Sequence, residues 1–202
     1  VLHLAALIAI PFSYNSPSTY IDTNIMGTLN VLQAARTCGG IKVIQTSTSE
    51  VYGTANYVPI DEGHPLNGQS PYSASKIGAD QIAYSFFASF DLPVTILRPF
   101  NVYGPGQVGE GAISVMLRKA LKNEPLLVFG NGSQIRAWLY VDDMVEGLMK
   151  CLHNKNAIGE SFNLGNARAV TTIYGLAQTI CRVLNSSSAS DLEKYSTVLT
   201  SR

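Results

Sequence analysis

Apolar residues along the chain recur with two periods. Between residues 17 and 37, Ile21, Ile25, Leu29 and Leu32 return every three or four positions, the spacing of one buried helical face. Ser16 or Ser18 can start that helix, and Gly39-Gly40 stops it. Residues 41–45 form a short apolar strand that runs into the polar Thr46-Ser47-Thr48-Ser49-Glu50. Residues 53–69 carry Pro59, Gly63, Pro65 and Gly68 among few apolar side chains, the composition of a surface loop. A second helix is expected over residues 71–90, with Ser70 as N-cap and Pro71 in its first turn. Pro93 follows it, and residues 94–97 form another buried strand, ended by Arg98-Pro99. Helices alternating with continuous apolar strands predict an α/β chain with a parallel sheet covered by helices. After Pro99 the pattern is less regular. It predicts a helix over 112–123, a short strand over 126–129, a Gly130-Asn131-Gly132 turn and a strand over 135–141. A helix over 142–152 capped by Asp142, a helix over 171–184 capped by Thr171 or Thr172, and a loose loop over 186–190 complete it.

Composition narrows the function classes. The chain has 202 residues, 46% of them hydrophobic, enough for one large domain with or without a small appendage. The net charge is +0 and no Lys/Arg run stands out, which argues against a nucleic-acid partner. Cys38, Cys151 and Cys181 are odd in number, and neither they nor His3, His64 and His153 have metal-site spacing. They read as reduced thiols of a cytoplasmic protein without a bound metal. The apolar run over residues 4–10 is too short to cross a bilayer and is followed by Pro11; it reads as a buried strand end or a loop, with no membrane partner and no signal peptide.

The residues with chemical potential lie in the first half. Tyr72 and Lys76 are four apart and share one helical face. A phenol near pKa 10 is a poor base at neutral pH, and a neighbouring ammonium favours the phenolate. The pair then takes the proton of a hydroxyl whose carbon is being oxidised. An isolated Tyr-x-x-x-Lys is more often an ordinary amphipathic face. The hydroxyl cluster at the end of strand 41–45 changes that weight, because reactive groups of open α/β sheets gather at the carboxyl ends of strands. Thr48 can hydrogen-bond the reacting oxygen, and Glu50 is a second proton acceptor.

Several stretches, in order, carry a family resemblance. They are His3-Leu4-Ala5-Ala6, Tyr20-x-x-x-Asn24-x-x-Gly27-Thr28-x-Asn30, Ser47-Thr48-Ser49-Glu50-Val51-Tyr52-Gly53 and Tyr72-Ser73-Ala74-Ser75-Lys76. Arg98-Pro99-Phe100-Asn101-Val102-Tyr103-Gly104-Pro105, Gly130-x-Gly132-x-Gln134-x-Arg136, Tyr140-Val141-x-Asp143 and Phe162-Asn163-Leu164-Gly165 follow. Together they resemble the extended short-chain dehydrogenases/reductases of the NAD-dependent epimerase/dehydratase family, which modify nucleotide sugars. The resemblance implies a Rossmann-like sheet with helices on both faces. Residues 1–105 would be the later part of the NAD-binding domain, and 106–202 a substrate-binding region interleaved with it. It implies that Tyr72 takes the C4 hydroxyl proton, that Lys76 holds the nicotinamide ribose and tunes Tyr72, and that Thr48 bonds the same hydroxyl. Leu4, Ala5, Ala6, Asn24, Ser47, Pro99 and Val102 would line the cofactor, with Asn101 and Arg136 at the substrate diphosphate.

Within that resemblance the reactions share a 4-keto intermediate and differ afterwards. Glu50 occupies the place of the base that removes the C5 proton in 4,6-dehydratases. Ser49 stands where the dTDP-glucose enzymes carry an aspartate as acid, and Ala137 where they carry another aspartate. Thr-Ser-Glu also resembles GDP-mannose and amino-sugar dehydratases and UDP-glucuronate decarboxylases. The expectation is a 4,6-dehydratase, with 4-epimerase, decarboxylase and a non-catalytic sugar-nucleotide binder as alternatives. No G-x-x-G-x-x-G fingerprint lies in the sequence, and both ends read as interruptions of a longer chain, so a chain of these residues alone is expected to bind NAD poorly. The resemblance also implies a homodimer through the helices of residues 17–37 and 71–90.

Overall fold

The computed structural model describes residues 1–109 and 111–184. The loop expected over 186–190 lies outside them. The chain divides into two compact units: Val1–Phe100 with Asp142–Gly165, and Asn101–Val141 with the described residues from Asn166. The chain passes from the first unit to the second after Phe100, returns at Asp142 and leaves again at Asn166.

The first unit is built on a parallel sheet. Its strands are β1 (Leu2–His3), β2 (Val43–Thr46), β3 (Val94–Pro99) and β6 (Ser161–Leu164), adjacent in that order. Every β3 residue is buried, as a strand covered on both faces requires. Register sets Thr46 beside Leu97 and Pro99 beside Leu164, so the carboxyl ends of β2, β3 and β6 lie together.

After β1, residues 4–9 form a largely exposed loop, not a buried strand end. α1 (Ile10–Asn15) and α2 (Pro17–Tyr20) follow. The helix expected over 17–37 is continuous in path but not in winding: Ile21–Met26 is π-helical, and α3 spans Gly27–Thr37. Its buried face also differs from the apolar spacing. Ile21 is 44% exposed, while Tyr20, Asn24, Thr28, Leu32 and Ala35 are buried. The wider turn rotates two polar side chains inward, where both are hydrogen-bonded. Such π segments occur mostly at functional sites.

α4 (Pro71–Phe90) begins as its sequence predicts. Ser70 accepts from the Ser73 N–H at 3.0 Å, and Ser73 Oγ accepts from the Ser70 N–H at 2.9 Å, a reciprocal capping box with Pro71 behind it. Asp91, at φ 52, ends it. Leu32, Ala35, Val43, Ala83, Phe86, Leu92, Val94 and Ile96 make the core between α3, α4 and the sheet. α6 (Val141–His153) starts one residue before its expected cap, so Asp142 and Asp143 occupy its first turn and complement the helix dipole. Lys42 Nζ closes its other end on the carbonyls of Cys151, Leu152 and Asn154 at 2.5, 3.3 and 2.9 Å.

The second unit holds a three-stranded sheet. β4 (Asn101–Tyr103) pairs in parallel with β5 (Ile135–Tyr140), which pairs antiparallel with β7 (Val170–Thr172). α5 (Ala112–Leu121) and α7 (Ile173–Leu184) pack through Met116, Ala120, Leu176 and Ile180. Residues 170–172 thus belong to a strand, and Thr172 caps α7 by accepting from the Gly175 N–H at 2.9 Å. The strand expected over 126–129 joins neither sheet. Leu126 and Val128 are buried and Leu127 and Phe129 exposed, so the alternation that suggested a strand is present without a ladder partner.

Candidate active site

α4 meets the end of β2 one residue at a time. Tyr72, Lys76 and Asp80 lie one turn apart on the same helical face, and all three are buried. Lys76 Nζ donates to the Thr46 carbonyl at 2.6 Å. Asp80 Oδ2 accepts from Ser47 Oγ at 2.8 Å. The Tyr72 hydroxyl lies within reach of Thr48, whose hydroxyl acts on its ionisation. Three successive residues of the strand end are thereby met by three successive turns of one helix.

Beyond Thr48 the chain tightens into a 3₁₀ turn, Ser49–Tyr52. Thr48 Oγ1 accepts from the Glu50 N–H at 3.2 Å, and Gly53, at φ 64, lets the chain leave the turn. Its Cβ would lie 2.5 Å from the Asn67 carbonyl oxygen, so no larger residue fits there unstrained. Ser49 and Glu50 are half-buried beside Thr48.

Burial dominates the electrostatics of the site. Burial pushes the Tyr72 phenol up, the Thr48 hydrogen bond holds it down, and the charges of Glu50, Tyr20 and Asp80 raise it. Thr48 favours the phenolate, while Lys76, one turn along α4, donates to the Thr46 carbonyl. Burial lowers Lys76, and the Asp80 carboxylate opposes that. Burial, then the Lys76 charge, lowers His3. Thr28 Oγ1 donates to the Asn24 carbonyl at 2.7 Å and so receives its bond from His3 Nε2–H at 3.2 Å.

Asn24 ties the loop after β1 to α4. Its Oδ1 accepts from the Leu7 N–H at 2.9 Å, and its Nδ2 donates to the Leu7 carbonyl at 3.0 Å and to Ser75 Oγ at 2.9 Å. Both amide hydrogens are engaged within the protein, so Asn24 positions the loop instead of contacting a ligand through that group. Leu4 and Ala5 are exposed and Ala6 half-buried on this clamped loop. This loop follows the carboxyl end of β1, where ligands of open parallel sheets gather.

Of the expected site residues, the first unit gathers Thr48, Ser49, Glu50, Tyr72, Lys76, Ser47, Asn24 and the loop 4–6, with Pro99 at the end of β3. Asn101, Val102 and Arg136 belong to the second unit. Asn101 Nδ2 donates to the Ala137 carbonyl at 3.1 Å, joining β4 to β5, and Val102 lies opposite Leu139. Arg136 is exposed, and Nη1 donates to the Ile135 carbonyl at 3.0 Å.

Sequence reasoning missed a buried polar chain behind the turn. Asp80 pairs with Arg98, Arg98 with the Tyr52 hydroxyl, and Tyr52 with Asn163. The signal was present: Arg98 ends an otherwise apolar buried strand and so needs a partner, and Asp80 lies one turn beyond Lys76.

Comparison with known proteins gives a consistent picture. The family model for GDP-mannose 4,6 dehydratase matches residues 1–198. The dTDP-glucose 4,6-dehydratase of Xanthomonas campestris pv. campestris is 35% identical over 195 residues, covering 92% of this chain and 55% of the relative. The chain thus spans about half the length of the curated relative it matches. The crystal structure of the Streptomyces venezuelae dTDP-glucose 4,6-dehydratase with NAD bound superposes with a TM-score of 0.85 at 31% identity, covering 94% of this chain and 58% of that one. The UDP-glucose 4-epimerase of Thermotoga maritima with UDP-glucose gives 0.88 at 31% identity, covering 93% and 61%.

Proposed function

The chain belongs to the GDP-mannose 4,6-dehydratase family of NAD-dependent nucleotide-sugar epimerases and dehydratases, and from that premise we propose that its protein is a nucleotide-sugar 4,6-dehydratase working through a 4-keto intermediate. The observation that carries this reading is the convergence of Tyr72, Thr48 and Glu50 at one strand end, with Glu50 close enough for its charge to act on the Tyr72 phenol.

The clamped loop 4–6, Lys76 and Pro99 fit the nicotinamide half of NAD, since Lys76 commits one hydrogen bond to Thr46 and retains donors for ribose hydroxyls. The chemistry NAD supplies when bound is the uptake of two electrons and a proton from C4 and their return at C6, so the overall change is loss of one water. Tyr72, as phenolate, takes the C4 hydroxyl proton, and Thr48 steadies the oxygens involved. The resulting ketone acidifies C5–H. Glu50 takes that proton, the C5–H electron pair becomes the C5–C6 double bond, and the C6–O bond breaks. Ser49 is no acid at neutral pH, so the proton on Glu50 is the one that leaves with the hydroxyl as water, and C5 takes a replacement proton from solvent when C6 is reduced. Asn101 and Arg136 are assigned to the substrate diphosphate, which the planar fork of an arginine suits.

Epimerisation is the second reading, favoured by the superposition on a UDP-glucose 4-epimerase. It uses Tyr72 and Thr48 and leaves Glu50 idle. A homodimer through the helices of residues 17–37 and α4 belongs to the same proposal, with exposed Tyr84 and Phe90 as the apolar residues α4 offers.

A Glu50→Gln variant tests the assignment in a single turnover. The dehydratase reading expects reduced nicotinamide to form and persist while no water is lost. Water loss at the parental rate removes Glu50 from the mechanism.

A further inference from the structure

The ion pair Asp80–Arg98 has no part in the chemistry above, yet both residues are buried, at 0% and 5% exposure. A buried pair is often no more stabilising than apolar residues of the same volume, so its retention calls for something that it holds. Its bonds answer that. Asp80 Oδ2 accepts from Arg98 Nε at 3.2 Å and from Ser47 Oγ at 2.8 Å. Arg98 Nη1 donates to the Tyr52 hydroxyl at 3.0 Å, and that hydroxyl donates to Asn163 Oδ1 at 2.7 Å. Asn163 is held in turn: its N–H donates to Glu62 Oε1 at 2.7 Å and its Nδ2 to the Ile60 carbonyl at 3.2 Å. Ser47 immediately precedes the segment bearing Thr48, Ser49 and Glu50, and Tyr52 ends it.

We propose that Asp80 and Arg98 are positioning residues that grip the reactive turn at both ends, through Ser47 and Tyr52, and so hold Glu50 in place for the elimination step. Thr48 faces Tyr72, and Tyr72 and Lys76 are carried on α4, with Lys76 bonded to the Thr46 carbonyl. Glu50 has no such anchor on α4: its N–H is fixed on Thr48, and the far side of its turn rests on Tyr52. Loosening the Tyr52 end therefore disturbs Glu50 before it disturbs the oxidising pair. The consequence for catalysis rests on the reading that Glu50 takes the C5 proton; the grip itself does not.

Tyr52→Phe removes one hydroxyl and keeps the ring, and Asn163→Ala removes its acceptor from the other side. In each variant, single-turnover formation of reduced nicotinamide is expected to stay within about threefold of the parent, while water loss slows by roughly 10- to 100-fold through kcat and not KM. Hydrogen exchange supplies a readout free of activity. The amides of Glu50, Val51 and Gly53 are all hydrogen-bonded within the turn. They are expected to exchange about tenfold faster or more in Tyr52→Phe, with α4 unchanged. Unchanged exchange in the turn overturns the grip. So does an equal fall in both chemical steps accompanied by faster exchange throughout α4, the signature of a merely structural pair. If the parent protein loses no water from any nucleotide sugar, the dehydratase reading fails and the exchange pattern alone decides the grip.

Discussion

At the scale of single residues the site is organised by what each polar group has left to offer. Lys76 gives one bond to Thr46, Asn24 gives its whole amide to Leu7 and Ser75, and Thr48 divides itself between the Glu50 N–H and the Tyr72 hydroxyl. The last of these governs pH dependence. On the proposed mechanism the base acts when deprotonated, so C4 oxidation is expected to speed up as pH climbs toward the pKa of Tyr72, which burial has raised. Thr48→Val removes the hydrogen bond that holds this pKa down. The alkaline rise in C4 oxidation is therefore expected to move to higher pH, with about a tenfold loss of rate at neutral pH for each unit moved. An unmoved profile, measured as reduced-nicotinamide formation against pH, contradicts the role given to Thr48. Tyr72→Phe deletes the base, and a loss of roughly 100- to 10,000-fold in the same assay is expected. That Tyr72, Lys76, Thr48 and Glu50 come together was legible in the sequence from their type and spacing. The bond from Lys76 to the Thr46 carbonyl was not, because it depends on where a flexible side chain finds its acceptor.

At the scale of elements, local signals gave the helix and strand limits wherever a cap or a proline wrote them. Ser70 and Pro71 start α4, and Pro93 precedes β3. Ser70→Ala removes the capping box and is expected to cost about 1 kcal/mol of stability, read by thermal unfolding. Lys42 tests a less visible device. It lies before β2 in sequence yet satisfies three carbonyls at the end of α6, more than a hundred residues away. Lys42→Met is expected to cost about 1–2 kcal/mol, and an unchanged unfolding midpoint would show those carbonyls to be satisfied by solvent. Such long-range caps leave no trace in local composition. The π-helical stretch was also hidden, because a search for a 3.6-residue period selects Ile21 and Ile25 and passes over Asn24 and Thr28, the side chains that the wider turn buries. The segment 126–129 failed in the opposite sense: its alternation is real, but a strand also needs a neighbour's ladder.

At the scale of the whole molecule, the α/β class followed from apolar strands alternating with helices, and the parallel order β1-β2-β3-β6 agrees with it. The interleaving of two units was only partly legible, since the return of the chain at Asp142 and its departure at Asn166 fall beside ordinary helix and turn signals. Among the described residues no helix is long and apolar enough to cross a membrane. The central claim concerns the overall reaction, and product mass tests it most directly. Nucleoside-diphosphate hexoses are incubated with the protein and NAD in heavy water. The account predicts a product lighter by one water that carries one solvent deuterium at C5, because the proton Glu50 takes from C5 leaves with the water and C5 is reprotonated from solvent. A product of unchanged mass and inverted C4, or one that has lost carbon dioxide from a uronic acid, would contradict it.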